Sequence, residues 1–336
     1  MEFFGFALFG GLSSGALLAV AAGVFIVGLI LTIKGGDWFV DSASWFAEAT
    51  GIPKFVVGAT IVSFATTLPE LLVSVRAAMN GSAQLAIGNA VGSVTANTTL
   101  IMGVSLAAMA GVVSRKSFSV KGGLLLAAVV GLTLLSMSGL LPTWSAFVLW
   151  SIFLIFMVSN LVEGKKGAGN DQIDSYEKKE IPSKILFFVI GTLSIVFGAE
   201  FLVSSGKTIA SGIGISETII GFTVIALGTS LPELVTTLTA IRKKEASLSV
   251  GNIIGANIID TTLILPLCAV INGTALPVER INLSFDFPVC IAACAMAIIP
   301  TIIMGKFKKW QGYVLLAIYG LYMALLVLNE TGVVSL

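Results

Sequence analysis

The sequence predicts an all-α integral membrane protein of ten transmembrane helices arranged as two inverted five-helix repeats. Three observations carry that expectation. Of 336 residues, 56% are hydrophobic and only 11% charged, where a soluble domain carries about 25% charged residues. Ten apolar stretches come near or exceed the roughly 20 residues that cross a bilayer. The chain also aligns with itself at a shift of 163 residues.

The apolar segments span 15–34, 54–79, 83–112, 121–141 and 144–162, then 184–205, 216–241, 247–272, 284–304 and 310–329. Between the fifth and sixth lies the long polar stretch Glu163 to Ser183, where Gly164, Gly167 and Gly169 stand among charges. Such composition reads as a linker. The expected organisation is therefore a first repeat over 1–162, a linker over 163–183 and a second repeat over 184–336.

Orientation follows from the basic residues. With the N-terminus outside, sixteen Lys and Arg fall on the inner side, among them Lys34, Lys54, Arg115, Lys121, Arg242 and Lys306. The outer side holds Arg76, Lys207 and Arg280. Both termini are thus expected outside and the 163–183 linker in the cytoplasm of a cell whose inner membrane holds the chain. The first residues show neither a basic n-region nor a small-residue cleavage site, so no cleaved signal peptide is expected.

The internal repeat is specific. Residues 58–101 and 221–264 share 17 identities in 44 positions. They include Gly58/Gly221, Thr66/Thr229, Pro69/Pro232, Glu70/Glu233, Gly88/Gly251, Asn89/Asn252 and Gly92/Gly255. Chance likeness between apolar segments would match Leu, Val and Ala, not Gly, Pro, Asn and Glu. Five helices per half is an odd number, so the halves run in opposite directions, a plan common among secondary transporters.

The second helix carries Thr66-Thr67-Leu68-Pro69-Glu70 at its middle and the seventh carries Thr229-Ser230-Leu231-Pro232-Glu233. Proline has no N–H for the carbonyl one turn earlier and displaces it. Carbonyls near Ser63–Thr66 and Ala226–Thr229 are therefore freed in mid-helix. A free carbonyl in hydrocarbon needs protein, water or an ion. A carboxylate at that depth costs several kcal/mol. Freed oxygens beside an anion suit a hard cation, and the hydroxyls of Thr66, Thr67, Thr229 and Ser230 add neutral oxygens. A plain proline kink with a paired or protonated acid is the bland alternative; two matched copies with no basic residue in either helix core argue against it.

The third and eighth helices carry Gly88-Asn-Ala-Val-Gly-Ser93-Val-Thr-Ala-Asn97 and Gly251-Asn-Ile-Ile-Gly-Ala256-Asn-Ile-Ile-Asp260. Their glycines allow close helix packing. Asn97 and Asp260 are partners under the repeat, and Glu70, Glu233 and Asp260 are the acids placed deep in the membrane. Asp37 and Glu200 also align but are expected at helix ends, in interfacial or capping roles.

These doubled motifs, Leu-Pro-Glu followed by Gly-Asn-x-x-Gly, resemble the cation/calcium exchanger superfamily, and most closely its prokaryotic sodium/calcium exchangers. The resemblance covers Gly28–Ile101 and Gly191–Ile264. It implies that Glu70 and Glu233 are central calcium ligands shared with sodium, with backbone oxygens at Thr66 and Thr229 completing the shell. Ser63, Thr67, Ala226, Thr229 and Ser230 match flanking sodium positions. Ser93 carries the hydroxyl of the first Gly-Ser motif, and Asn97 and Asp260 match the central polar pair. It also implies that the first and sixth helices slide across a rigid bundle. Three departures stand out: Val94 replaces an Asn, Ala256 replaces a Ser, and Thr98-Thr99 with Thr261-Thr262 replace apolar residues.

The expected function is antiport of Ca2+ against Na+ by alternating access. The partners are inorganic cations and the lipid bilayer, with no cofactor and no obligate protein partner. A proton-coupled antiporter, or one carrying Mg2+ or Mn2+, is the alternative within the class; a cation channel is the alternative outside it. A net charge of +1 gives no reason to expect nucleic acid. The chain has no histidine and no evident nucleophile–base pair, so an intramembrane enzyme is not expected. Cys268, Cys290 and Cys294 sit in apolar stretches as packing residues.

Overall fold

A computed structural model describes residues 14–109, 115–168, 178–212, 228–273 and 275–334. The helices are α1 (Ser14–Thr50), α2 (Lys54–Thr66), α3 (Leu68–Met79), α4 (Ala83–Ala108), α5 (Arg115–Ser136) and α6 (Ser145–Ala168). Then come α7 (Ile181–Gly212), α8 (Leu231–Arg242), α9 (Ala246–Ile271), α10 (Asn282–Met304) and α11 (Lys309–Glu330). Among the described residues eight helices are long and apolar enough to cross a membrane, or nine when α2 and α3, bent by 47°, count as one span. The first half of the expected seventh helix lies outside the described residues; α8 is its second half. The chain is a multi-pass, almost wholly helical membrane protein.

Burial sorts the helices by role. In α4 and α9 the apolar window is 78% and 83% buried, against 17% in α1 and α11. The buried pair carries the Gly-Asn motifs. Outer helices show Ile26, Phe147, Leu154, Ile303 and Leu321 to the surroundings, as lipid requires.

The duplication reaches element ends. At the shift of 163, α3 maps onto α8, and the α-helical stretch Ala83–Ala96 maps onto Ala246–Ile259. A π-turn follows each stretch, Asn97–Ile101 and Asp260–Ile264.

The helices α1 and α7 pack antiparallel along most of their length. Gly28 abuts Gly198 and Gly35 abuts Gly191. Further along, Phe39 stacks on Phe188 at 4.7 Å, and Trp45 Nε1 donates to Glu180 Oε2 at 2.9 Å. Rising numbers on α1 meet falling numbers on α7. A methyl at Gly191 would lie 2.7 Å from the Phe39 nitrogen, and one at Gly35 would lie 2.9 Å from the Gly191 carbonyl oxygen. Small residues at each crossing let the backbones meet.

Several expected boundaries shift. The first helix runs to Thr50 instead of stopping near 34, because Phe39, Val40, Ala43 and Ala47 are buried and hold the extension in place. Its 37 residues reach about 55 Å, well beyond the roughly 30 Å hydrocarbon layer. Asp37 consequently sits within α1, ion-paired to Arg242 and Lys243, with Asp41 to Lys243 at 2.7 Å; it caps nothing. Glu200 likewise lies inside α7. Lys34 lies inside α1, and Lys121 lies inside α5, where it is buried and paired to Glu163 at 2.8 Å. Glu163 lies inside α6, which continues to Ala168, and α7 begins at Ile181, which shortens the expected 163–183 linker at both ends. The expected fourth helix, α5 here, stops at Ser136. Gly139 then turns at φ +80°, and β1 (Leu140–Pro142) pairs antiparallel with β2 (Ala275–Pro277), the one small departure from an all-α fold among the described residues. All three cysteines are free and buried, as expected.

Candidate cation site

Both Pro-Glu breaks are built the same way. Before Pro69 the backbone turns at Thr67, and before Pro232 it turns at Ser230. Pro69 has no N–H to offer Ala65, and Pro232 none to offer Gly228. Helical bonding resumes at Leu71 N–H to the Thr67 carbonyl, 3.1 Å, and Leu234 N–H to the Ser230 carbonyl, 3.0 Å. Upstream, Thr67 N–H still reaches the Ser63 carbonyl at 2.9 Å, so the release begins after Ser63 and not at it. Glu70 and Glu233 therefore stand in the first turns of new helices, α3 and α8. The positive end of a helix dipole favours a carboxylate there.

The ten predicted site residues that are described are all buried, at most 6% exposed: Ser63, Thr66, Thr67, Glu70, Ser93, Asn97, Thr229, Ser230, Glu233 and Asp260. Ala226 lies outside the described residues. The two breaks face each other: Thr67 Oγ1 donates to Glu233 Oε1 at 3.4 Å. Cross-links from each break to the opposite half are matched as well. Thr66 Oγ1 donates to Asn252 Oδ1 at 3.1 Å, and Thr229 Oγ1 to Asn89 Oδ1 at 3.2 Å.

Around the breaks, buried acceptors lack donors. Among the described residues, both carboxylate oxygens of Glu70 and of Asp260, Oε2 of Glu233, the hydroxyls of Ser93 and Ser230, and Oδ1 of Asn97 have no hydrogen-bond partner. Among the described residues no Lys or Arg forms an ion pair with Glu70, Glu233 or Asp260. Each buried, unpaired polar group costs about 1–3 kcal/mol, and a charged one more. Oxygens of this kind, without donors, are the ligand set of a hard cation. Among the described residues no three acidic or sulfur side chains are close enough to grip a metal by themselves. An ion held here would also need hydroxyl and carbonyl oxygens, which the breaks expose.

Asn97 and Asp260 each open a π-turn, a local widening often found at functional sites. The threonines that depart from the family pattern serve these turns. Thr99 Oγ1 donates to the Thr95 carbonyl at 2.6 Å, and Thr262 Oγ1 to the Ile258 carbonyl at 2.5 Å. Asn257, the mate of Val94, points its Nδ2 at Thr98 Oγ1, 2.8 Å away, and not at a carboxylate. Val94 therefore removes an interhelical bridge in the first half. Ala256 is buried at the position matched to the unpartnered Ser93 hydroxyl.

The glycines of α9 do what spacing predicts. Gly251 lies against the Phe55 carbonyl and Gly255 against Ser63 and the Ala59 carbonyl. Among the described residues their mates Gly88 and Gly92 meet nothing within 4 Å. The sequence reading passed over Asn89 and Asn252 as site residues. Their signal was available: an amide at the same place in both halves, in helices otherwise rich in Ala, Val and Ile.

The family model described as sodium/calcium exchanger protein matches the chain twice, over residues 20–162 and 183–328. The uncharacterized membrane protein MJ0091 of Methanocaldococcus jannaschii is 31% identical over 313 residues, covering 90% of this chain and 97% of its own. The sodium/calcium exchanger MaX1 of Methanosarcina acetivorans is 31% identical over 364 residues, again covering 90% and 97%. The solved structure of the sodium-calcium exchanger NCX_Mj, soaked with 2.5 mM Na+ and 10 mM Sr2+, superposes with a TM-score of 0.80 at 29% identity. It covers 91% of this chain and 99% of its own.

Proposed function

The chain belongs to the sodium/calcium exchanger protein family, and on that premise we propose that it exchanges Ca2+ for Na+ across the membrane by alternating access. The ions bind between the two Pro-Glu breaks. Glu70 and Glu233 hold the divalent ion, Thr66 and Thr229 lend backbone oxygens, and Ser63, Thr67, Ser93, Ala226, Ser230, Asn97 and Asp260 form the flanking sodium positions and the central polar pair. The observation that carries this reading is the set of buried, donorless oxygens at two matched breaks.

Charge counting makes the cycle workable. Three carboxylates match three Na+, or one Ca2+ and one proton, so either load crosses nearly neutral. Loads that compete for the same glutamates exclude one another, and that exclusion makes exchange obligatory. The antiparallel α1–α7 seam supports a pair that moves as one unit against the buried α4–α9 core. The full architecture is ten helices in two inverted repeats, 1–162 and 184–336. Both termini lie outside a bacterial-type inner membrane and the 163–183 linker lies in the cytoplasm, as the bias of basic residues requires.

Ca2+ uptake into sodium-loaded proteoliposomes tests the reading. Uptake that needs an outward Na+ gradient is expected. A second reading, proton coupling or another divalent ion, is favoured by one observation, the missing hydroxyl at Ala256. Uptake indifferent to sodium but driven by a pH gradient, or uptake of Mg2+ or Mn2+ in place of Ca2+, would establish it. Flux without any counter-ion would mark a channel.

A further inference from the structure

We infer that Asn89 and Asn252 are a matched pair of positioning residues, each holding the Pro-Glu break of the opposite half so that its threonine oxygen stays turned toward the ion. The inference rests on the exchange reading above and adds residues that touch no ion.

Each amide lies at the same place in the buried helices α4 and α9, and each accepts a hydrogen bond from the threonine just before the opposite break. A threonine whose hydroxyl proton is committed to an amide holds in place the backbone carbonyl that the exchange reading gives to the cation. Without the amide, that proton is free to turn toward a carboxylate, and among the described residues both oxygens of Glu70 and Oε2 of Glu233 have no donor. The hydroxyl then competes with the ion for the carboxylate. Asparagine suits the task because it accepts on one atom and donates on the other without adding charge.

The two clamps differ in strength. Asn89 Nδ2 also donates to the Glu70 carbonyl at 3.2 Å and to Ser74 Oγ at 2.9 Å, so one side chain ties α3, α4 and the opposite break together. Asn252 is wholly buried, and its Nδ2 has no partner among the described residues. Thr237, the mate of Ser74, instead accepts from Ser249 at 3.3 Å. The mate of Ser249 is Ala86, which has no hydroxyl to compete with Asn89. Asn89 therefore makes three bonds where Asn252 makes one.

The test is Na+-driven Ca2+ uptake by the full chain in proteoliposomes, read as half-saturating Ca2+ and maximal rate, for Asn89→Ala, Asn252→Ala, Thr229→Val and the double variant. Asn89→Ala is expected to raise half-saturating Ca2+ about tenfold with the maximal rate per folded protein within about twofold, and Asn252→Ala to raise it about threefold. In the Thr229→Val background, Asn89→Ala should add less than its full effect, because residues acting through one bond are not additive. If Asn89→Ala does not fold, Asn89→Ser, too short to reach both partners, is expected to give the same shift. A purely structural role lowers the maximal rate with the folded fraction and leaves half-saturation unmoved; that result, or full additivity with Thr229→Val, overturns the inference while exchange by the wild type stands. A wild type without Na+-driven Ca2+ uptake overturns the exchange reading and this inference with it.

Discussion

At the first break the chain turns through Thr67 with φ −86° and ψ 2°, and at the second through Ser230 with φ −83° and ψ 4°. The helices that follow end alike too, at Asn80 with φ −89° and ψ 7° and at Lys243 with φ −86° and ψ 2°. The side chains around these near-identical backbones differ. At the shift of 163, Asn97 corresponds to Asp260, Ser93 to Ala256, Val94 to Asn257 and Ser74 to Thr237. Proline and the helix it starts dictate where carbonyls and dipoles go, so the backbone part of the site is symmetric. Under the exchange reading proposed above, ion selectivity is assigned to the asymmetric side chains.

The largest expected effect tests the symmetric part. Glu70→Gln and Glu233→Gln should each lower Ca2+ uptake about a hundredfold or more, since removing one partner of a buried charged contact costs about 3–5 kcal/mol. Near-normal exchange in both would remove the site from the breaks, and loss in only one would show that the halves do not share the ion.

The seam between α1 and α7 offers a second comparison. Gly28 and Gly191 are mates, and each meets the backbone of the other helix. Gly28→Ala and Gly191→Ala should destabilise by about 1–3 kcal/mol each through overpacking. Gly23→Ala, where no described residue lies within 4 Å, should be neutral or slightly stabilising. Thermal melts in detergent read all three; equal melts for the seam and control variants would refute the close crossing.

The asymmetric part calls for restoring what one half lacks. Ala256→Ser should lower half-saturating Na+ by about threefold to fivefold, the worth of one hydrogen-bond-sized contact of about 1 kcal/mol. Unchanged sodium dependence would mean that this hydroxyl position is idle. The smallest effect is expected for Val94→Asn, which sets an amide where it can bridge to Thr261 as Asn257 bridges to Thr98. Interhelical polar pairs in membranes contribute about 0.6 kcal/mol, so a small rise in melting temperature is predicted, and a fall would mean that the first half has repacked around Val94.

The membrane class, the duplication, the two Pro-Glu breaks and the burial of Glu70, Glu233 and Asp260 were legible in the sequence. Each depends on local properties: runs of apolar residues, an imino acid without its N–H, or an acid with no base nearby. The shift of 163 carried one half's reading to the other. Tertiary structure alone decided which groups meet across the chain. It held α1 helical to Thr50 by packing, and it set Asp37 on Arg242, Asn89 on Thr229 and Asn252 on Thr66. It opened π-turns at Asn97 and Asp260 and joined β1 to β2. These contacts link residues far apart in sequence, and no local period or propensity encodes which of many buried polar groups will be neighbours. That choice is made when the helices pack and most amides and hydroxyls out of reach of water find a partner.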